Sequence, residues 1–149
     1  MRFRLFGIAP VVALAACASA PPAHGQGSDI GPTFTDLNEA AKAGCQWIWD
    51  HDPKAEKWEY CGALYRDKEG IRVGLPMTME AGSCGSPSGA PYAPDGTQLL
   101  GKYHSHRFMP EPSRRDLRNA ENYPTLGHFL CSPSKIVRRF SAEGTVILK

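Results

Sequence analysis

Two histidines close an apolar stretch of this chain, and a Ser-x-x-Asp motif follows shortly after. The stretch runs from Thr97 to His106, and the later motif is Ser113-Arg114-Arg115-Asp116. Extended backbone turns alternate side chains to opposite faces. His104 and His106 therefore point the same way, about 6.6 Å apart at ~3.3 Å per residue. Ser113 and Asp116 have the spacing of a capping box, which opens a helix at residue 113. The order of expected elements along the chain, helix, hairpin, histidine strand, helix, hairpin, is an α+β pattern.

The same residues have the chemistry of a metal site. Two imidazole nitrogens and one carboxylate oxygen leave a fourth tetrahedral position for water, as in a catalytic rather than a structural zinc centre. His104, His106 and Asp116 are the expected ligands. Each also has a plain structural alternative. The histidines could be a strand-end surface pair. Asp116 could serve the helix dipole, worth about 0.3–1 kcal/mol. Ser113 could be a helix cap and nothing more.

The first residues read as an export signal. Arg2 and Arg4 precede an apolar run from Phe6 to Ala16, which is too short to span a bilayer. Leu14-Ala15-Ala16-Cys17 then fits a lipobox, with Cys17 as the lipidated terminus of a bacterial lipoprotein. The competing reading is signal cleavage after Ala18-Ser19-Ala20, giving a soluble periplasmic or secreted protein. Ala18 is not an inner-membrane retention signal, so an outer-membrane lipoprotein facing the periplasm is expected. Residues 18–33, rich in Pro, Gly, Ala and Ser, read as a flexible tether, and residues 34–149 as one domain. Without Arg2 and Arg4 the charges balance at 15 of each sign, which gives no basis for nucleic-acid binding. Arg114, Arg115, Arg118, Arg138 and Arg139 read as solvated surface.

Without Cys17 an even set remains: Cys45, Cys61, Cys84 and Cys131. In an exported domain this favours two disulfides, and the absence of a C-x-x-C spacing disfavours a cysteine zinc site. The expected pairs are Cys45–Cys61 and Cys84–Cys131, with the other two connectivities open. Thr33 or Thr35 can cap a helix to about Asp50, with Leu37, Ala41, Cys45 and Ile48 on its buried face. Strands are expected at Trp58–Tyr65, Ile71–Met77 and Thr97–His106. A long loop, 78–96, falls between the last two. A helix from Ser113 to Asn122 and strands at Leu126–Cys131, Ile136–Phe140 and Thr145–Leu148 follow. His51 and His128 lack ligand spacing and read as structural, as do Trp47, Trp49 and Trp58.

Upstream lies Glu59-Tyr60-Cys61-Gly62-Ala63-Leu64-Tyr65. A Glu three residues before a Gly in an apolar strand, then His-Ser-His, then Ser-x-x-Asp resembles the JAMM (MPN+) metallopeptidases. The stretch from Thr35 to Lys149 is similar to the JAB-like domains of bacterial polymorphic toxins and related secreted proteins. Six residues rather than the usual seven separate His106 from Ser113, and Arg107 stands where many members have Pro. The resemblance implies a mixed sheet with helices packed on it, and a zinc ion on His104, His106 and Asp116. It implies Glu59 as general base and Ser113 as an oxyanion donor; the plain alternative for Glu59 is an ordinary strand-edge residue, and Glu56 is then the fallback base. The implied activity is hydrolysis of a peptide or isopeptide bond by zinc-activated water. A peptide or protein of the cell envelope would be the substrate. Two rivals come from other classes: a catalytically silent binding module, and a toxin or effector domain.

Overall fold

In the computed structural model, residues 29–53, 58–79 and 93–149 are described. The signal segment, Cys17, Glu56 and Cys84 lie outside them. The fold is α+β, as expected, and the described residues form seven strands in one mixed sheet and two helices. The elements in chain order are α1 (Leu37–His51), β1 (Glu59–Arg66), β2 (Ile71–Val73), β3 (Met77–Met79), β4 (Gln98–Ser105), α2 (Arg114–Asn122), β5 (Gly127–Cys131), β6 (Val137–Ser141) and β7 (Gly144–Leu148). The strand order is β2-β1-β4-β5-β6-β7, with β3 also pairing to β1. Among the described strands only β4 and β5 pair in parallel, with α2 as the crossover between them. A parallel connection needs such a crossover, and this one starts directly after the His-Ser-His strand.

Several local expectations shift. Asp36, not Thr33 or Thr35, caps α1, its carboxylate accepting from the Asn38 and Glu39 amides at 2.8 and 2.9 Å. Residues 29–33, read as tether, already lie along the sheet: Asp29 bridges Gly74, and the Ile30 amide donates to the Val73 carbonyl at 2.8 Å. The expected strand Ile71–Met77 is two strands, β2 and β3, with Gly74, Leu75 and Pro76 between them. Pro76 has no amide to donate to a ladder, so pairing stops and restarts.

The strand alternation sorts side chains between two layers. On one face, α1 packs Ala41, Cys45, Ile48 and Trp49 against Leu64, Val73, Tyr103 and Phe129. On the other, α2 sets Leu117 and Ala120 against Leu130 and Phe140. Tyr103 is fully buried at the centre of the first layer, and its hydroxyl donates to the Gly74 carbonyl at 2.7 Å. Its ring occupies space that Gly44 and Gly62 leave open. A Cβ on Gly62 would come within 2.3 Å of that ring, and one on Gly44 within 2.7 Å. The Gly62→Ala variant should therefore lose about 1–3 kcal/mol through overpacking, read as a lower urea midpoint. An unchanged midpoint would show that the Tyr103 ring can move aside at little cost.

The disulfide expectation is corrected. Cys45 bonds to Cys131, with their Cα atoms 5.2 Å apart, and neither Cys45–Cys61 nor Cys84–Cys131 forms. The reason is the pleat. Cys131 pairs with Ser105 and shares the α1 face, whereas Cys61 pairs with His104 and points to the opposite face. A cysteine on α1 cannot reach Cys61 through the sheet. Cys61 is itself disulfide-bonded.

Candidate metal centre

The period of β4 carries the site. Lys102, His104 and, just past the strand, His106 fall on the α2 face, and Ser105 falls on the other. His104 and His106 are 5% and 6% exposed, which rules out a solvated strand-end pair. Ser105 accepts from the Tyr60 amide at 2.9 Å through its Oγ. That bond ties the start of β1, and so Glu59, to the middle of the His-Ser-His motif.

Helix α2 delivers the third group. Ser113 and Asp116 form the capping box: Asp116 Oδ2 accepts from the Ser113 amide at 2.8 Å, and Ser113 Oγ from the Asp116 amide at 3.2 Å. The Ser113 hydroxyl also donates to Asp116 Oδ2 at 2.6 Å. A hydroxyl has one proton, so in this geometry Ser113 orients Asp116. Donating to an oxyanion would require the hydroxyl to turn away.

Three candidate ligand residues converge. His104 Nε2 lies 3.3 Å from His106 Nε2 and 3.3 Å from Asp116 Oδ1, and His106 Nε2 lies 3.2 Å from Asp116 Oδ2. The imidazoles face different oxygens of the carboxylate, and one ligand atom from each of the three residues lies within 4.8 Å of the others. Zinc bonds of about 2.0–2.2 Å at the tetrahedral angle put neighbouring ligand atoms ~3.3 Å apart, so the spacing fits.

The donor set fits as well. His106 Nδ1 is 3.1 Å from the Glu111 carbonyl, which can only accept, so Nδ1 carries a proton. In the neutral ring Nε2 is then a lone pair, facing another imidazole nitrogen and a carboxylate. Such a cluster needs a cation, either a proton or a metal ion. In its absence the protons respond. Burial alone would pull His106 down, but hydrogen bonding and charge from Asp116, with the Glu59 charge and the Glu111 carbonyl, hold it above its ordinary value. Burial would raise Asp116, but hydrogen bonds from the two histidines, the charge of His104 and the Ser113 hydroxyl hold it far below the usual carboxylate range.

Glu59 opens β1 on the same face as the histidines, since its neighbour two residues on, Cys61, pairs with His104. Its Oε1 accepts from the Arg107 amide at 3.4 Å, placing the carboxylate beside the loop that follows His106.

Three groups around the site were not singled out by the sequence. Lys102 is only 4% exposed, and burial pulls its ammonium down against the opposing charge of Asp116. Its position two residues before His104 was the available signal. Glu111 contributes a backbone carbonyl, for which sequence has no signal. Arg138, read as surface, is 8% exposed and pairs with Glu111, its Nη2 3.0 Å from Oε1. Strand alternation in Val137-Arg138-Arg139-Phe140 puts Arg138 with Phe140 on the α2 face. Arg139 goes to the α1 side, where it donates to Asn38 at 3.4 Å.

His128 is structural in part. It is 2% exposed and its Nε2 meets the Tyr123 carbonyl at 3.1 Å, while Nδ1 has no hydrogen-bond partner among the described residues. His51 is exposed and stacks on Trp47, with ring centroids 3.8 Å apart. Trp49 is core and Trp47 is packed against it, as expected.

Comparison with protein-family models gives no match to this chain, and comparison with curated proteins gives none either. Among solved structures, the chain is similar to a protein from Desulfitobacterium hafniense determined in solution. The two share 20% identity with a TM-score of 0.40, over 73% of this chain and 88% of that one. It is also similar to a crystal structure of a JAB1/MPN domain protein from Archaeoglobus fulgidus, at 17% identity and a TM-score of 0.42, over 72% of this chain and 92% of that one.

Proposed function

We propose that this chain is an exported zinc-dependent hydrolase of peptide or isopeptide bonds, anchored to the outer membrane through a lipidated Cys17 and acting in the cell envelope. The observation that carries the reading is the meeting of two buried imidazoles, their Nε2 atoms 3.3 Å apart, with the Asp116 carboxylate, whose Oδ1 lies 3.3 Å from His104 Nε2 and whose Oδ2 lies 3.2 Å from His106 Nε2. The His-Ser-His and Ser-x-x-Asp resemblance supports the same assignment. Bound there, zinc would polarise the scissile carbonyl and lower the pKa of a water.

The remaining chemistry belongs to the protein. His104 and His106 bind as neutral imidazoles through Nε2, and the Glu111 carbonyl selects that tautomer for His106. Ser113 holds the Asp116 carboxylate in place through its amide and hydroxyl. Glu59, oriented by the Arg107 amide on Oε1, takes the proton of the attacking water on a carboxylate oxygen and passes it to the leaving nitrogen. The nearly dry surroundings of the histidines strengthen each of these interactions.

The test is metal content and cleavage together. The oxidised mature domain, purified without added zinc, should contain about one zinc per chain and cut members of a peptide library or an envelope extract. Full zinc with no cleavage of any substrate would replace this reading by that of a binding module. Absence of any bound metal would remove both the cofactor and the hydrolase.

A further inference from the structure

We infer that Arg138 and Glu111 form a positioning pair that fixes the tautomer and orientation of His106, so the metal centre extends to a third strand. The inference rests on the metal reading above, and it concerns residues that touch neither the metal nor a substrate. In register across the sheet, His104 pairs with Leu130, and Leu130 with Arg138. These three side chains form one row on the α2 face. Arg138 lies at its far end and reaches back to the loop joining His106 to α2. There its Nη2 meets Glu111 Oε1 at 3.0 Å. The carbonyl of that same Glu111 receives the Nδ1 proton of His106 at 3.1 Å. One residue thus joins the buried guanidinium to the ligand imidazole, its side chain on one and its backbone on the other.

Burial makes the pair more than a surface contact. The Arg138 side chain is 9% exposed while that of Glu111 is 60% exposed. Arg138 Nη1 has no hydrogen-bond partner among the described residues. Burying a guanidinium with one nitrogen unsatisfied is unfavourable. An aliphatic side chain beside Leu130 would avoid that cost. The arginine gains what an aliphatic residue could not, an anchor for the loop of residues 107–112. It acts with chain connectivity, the cap at Ser113 and the Arg107 amide bond to Glu59 in holding the Glu111 carbonyl in place. A ligand histidine whose second nitrogen loses its partner can adopt the wrong tautomer or rotate, and such losses weaken metal binding about 10–100-fold.

The experiment uses the mature protein and Glu111→Ala, which keeps the backbone carbonyl and changes an exposed side chain, so the domain should fold. Ring ¹⁵N shifts of His106 are recorded in the metal-free protein at alkaline pH. Zinc affinity is measured by competition with a chromophoric chelator. Wild type should show the single Nδ1–H tautomer and Glu111→Ala a mixture, with the zinc Kd rising about tenfold or more. Glu111→Gln, which still presents an oxygen to Arg138, should recover most of both. A His106 that keeps the Nδ1–H tautomer in Glu111→Ala overturns the inference, and so does a variant that binds zinc as tightly as a zinc-binding wild type. Should the tautomer respond to Glu111→Ala while wild type binds no zinc, the positioning pair stands and the metal reading falls.

Discussion

Replacing both His104 and His106 by alanine should take the zinc content of the purified domain from about one per chain to nearly none. The two Nε2 atoms are 3.3 Å apart, and the remaining ligand is a single carboxylate that Ser113 already engages through two hydrogen bonds. One carboxylate on a helix start does not retain zinc against a chelator, because the affinity of such sites comes from three protein ligands acting together. The disulfide between Cys45 and Cys131 and the Tyr103 core lie on the other face of the sheet, so the variant should stay folded. Circular dichroism in parallel with metal analysis checks this. Undiminished zinc in a folded double variant would place the metal elsewhere and end the site assignment.

Glu59→Gln should leave zinc and fold in place and lower the rate of hydrolysis by about 10²–10⁴-fold, the usual worth of a positioned general base. The amide keeps the size of the carboxylate, and its oxygen can still accept from the Arg107 amide as Glu59 Oε1 does at 3.4 Å. It cannot take a proton from water. The loss should fall on kcat with the zinc Kd unchanged, unlike the Glu111 variant, which should move the Kd first. Cleavage at the wild-type rate would mean that another residue is the base. Glu56, outside the described residues, would be the next to test.

Much of the site was legible because it is written in short-range spacing. His-x-His on a strand puts two imidazoles on one face whatever the rest of the chain does. Ser113 and Asp116 satisfy each other within one helical turn. Glu59 and Gly62 were recognisable as a pattern, but the reason for the glycine was not. It makes room for Tyr103, a residue from a neighbouring strand whose ring a Gly62 Cβ would meet at 2.3 Å.

What the sequence determined by itself is the set of local periods: where strands alternate, where α2 starts, and which residues could hold a metal. Tertiary structure decided everything that depends on which face meets which. Cys45 could pair with Cys61, Cys84 or Cys131 as far as spacing goes. The pleat put Cys61 with His104 and Cys131 with Ser105, and so joined Cys45 to Cys131. Arg138 read as surface because an Arg-Arg pair is usually solvated. The alternation of β6 sent the two arginines to opposite faces and buried Arg138 beneath the loop that holds His106. Chemistry set by neighbours in the chain can be read along it. Burial and cross-strand partners are set by register and layer packing, and exist only once the sheet has formed.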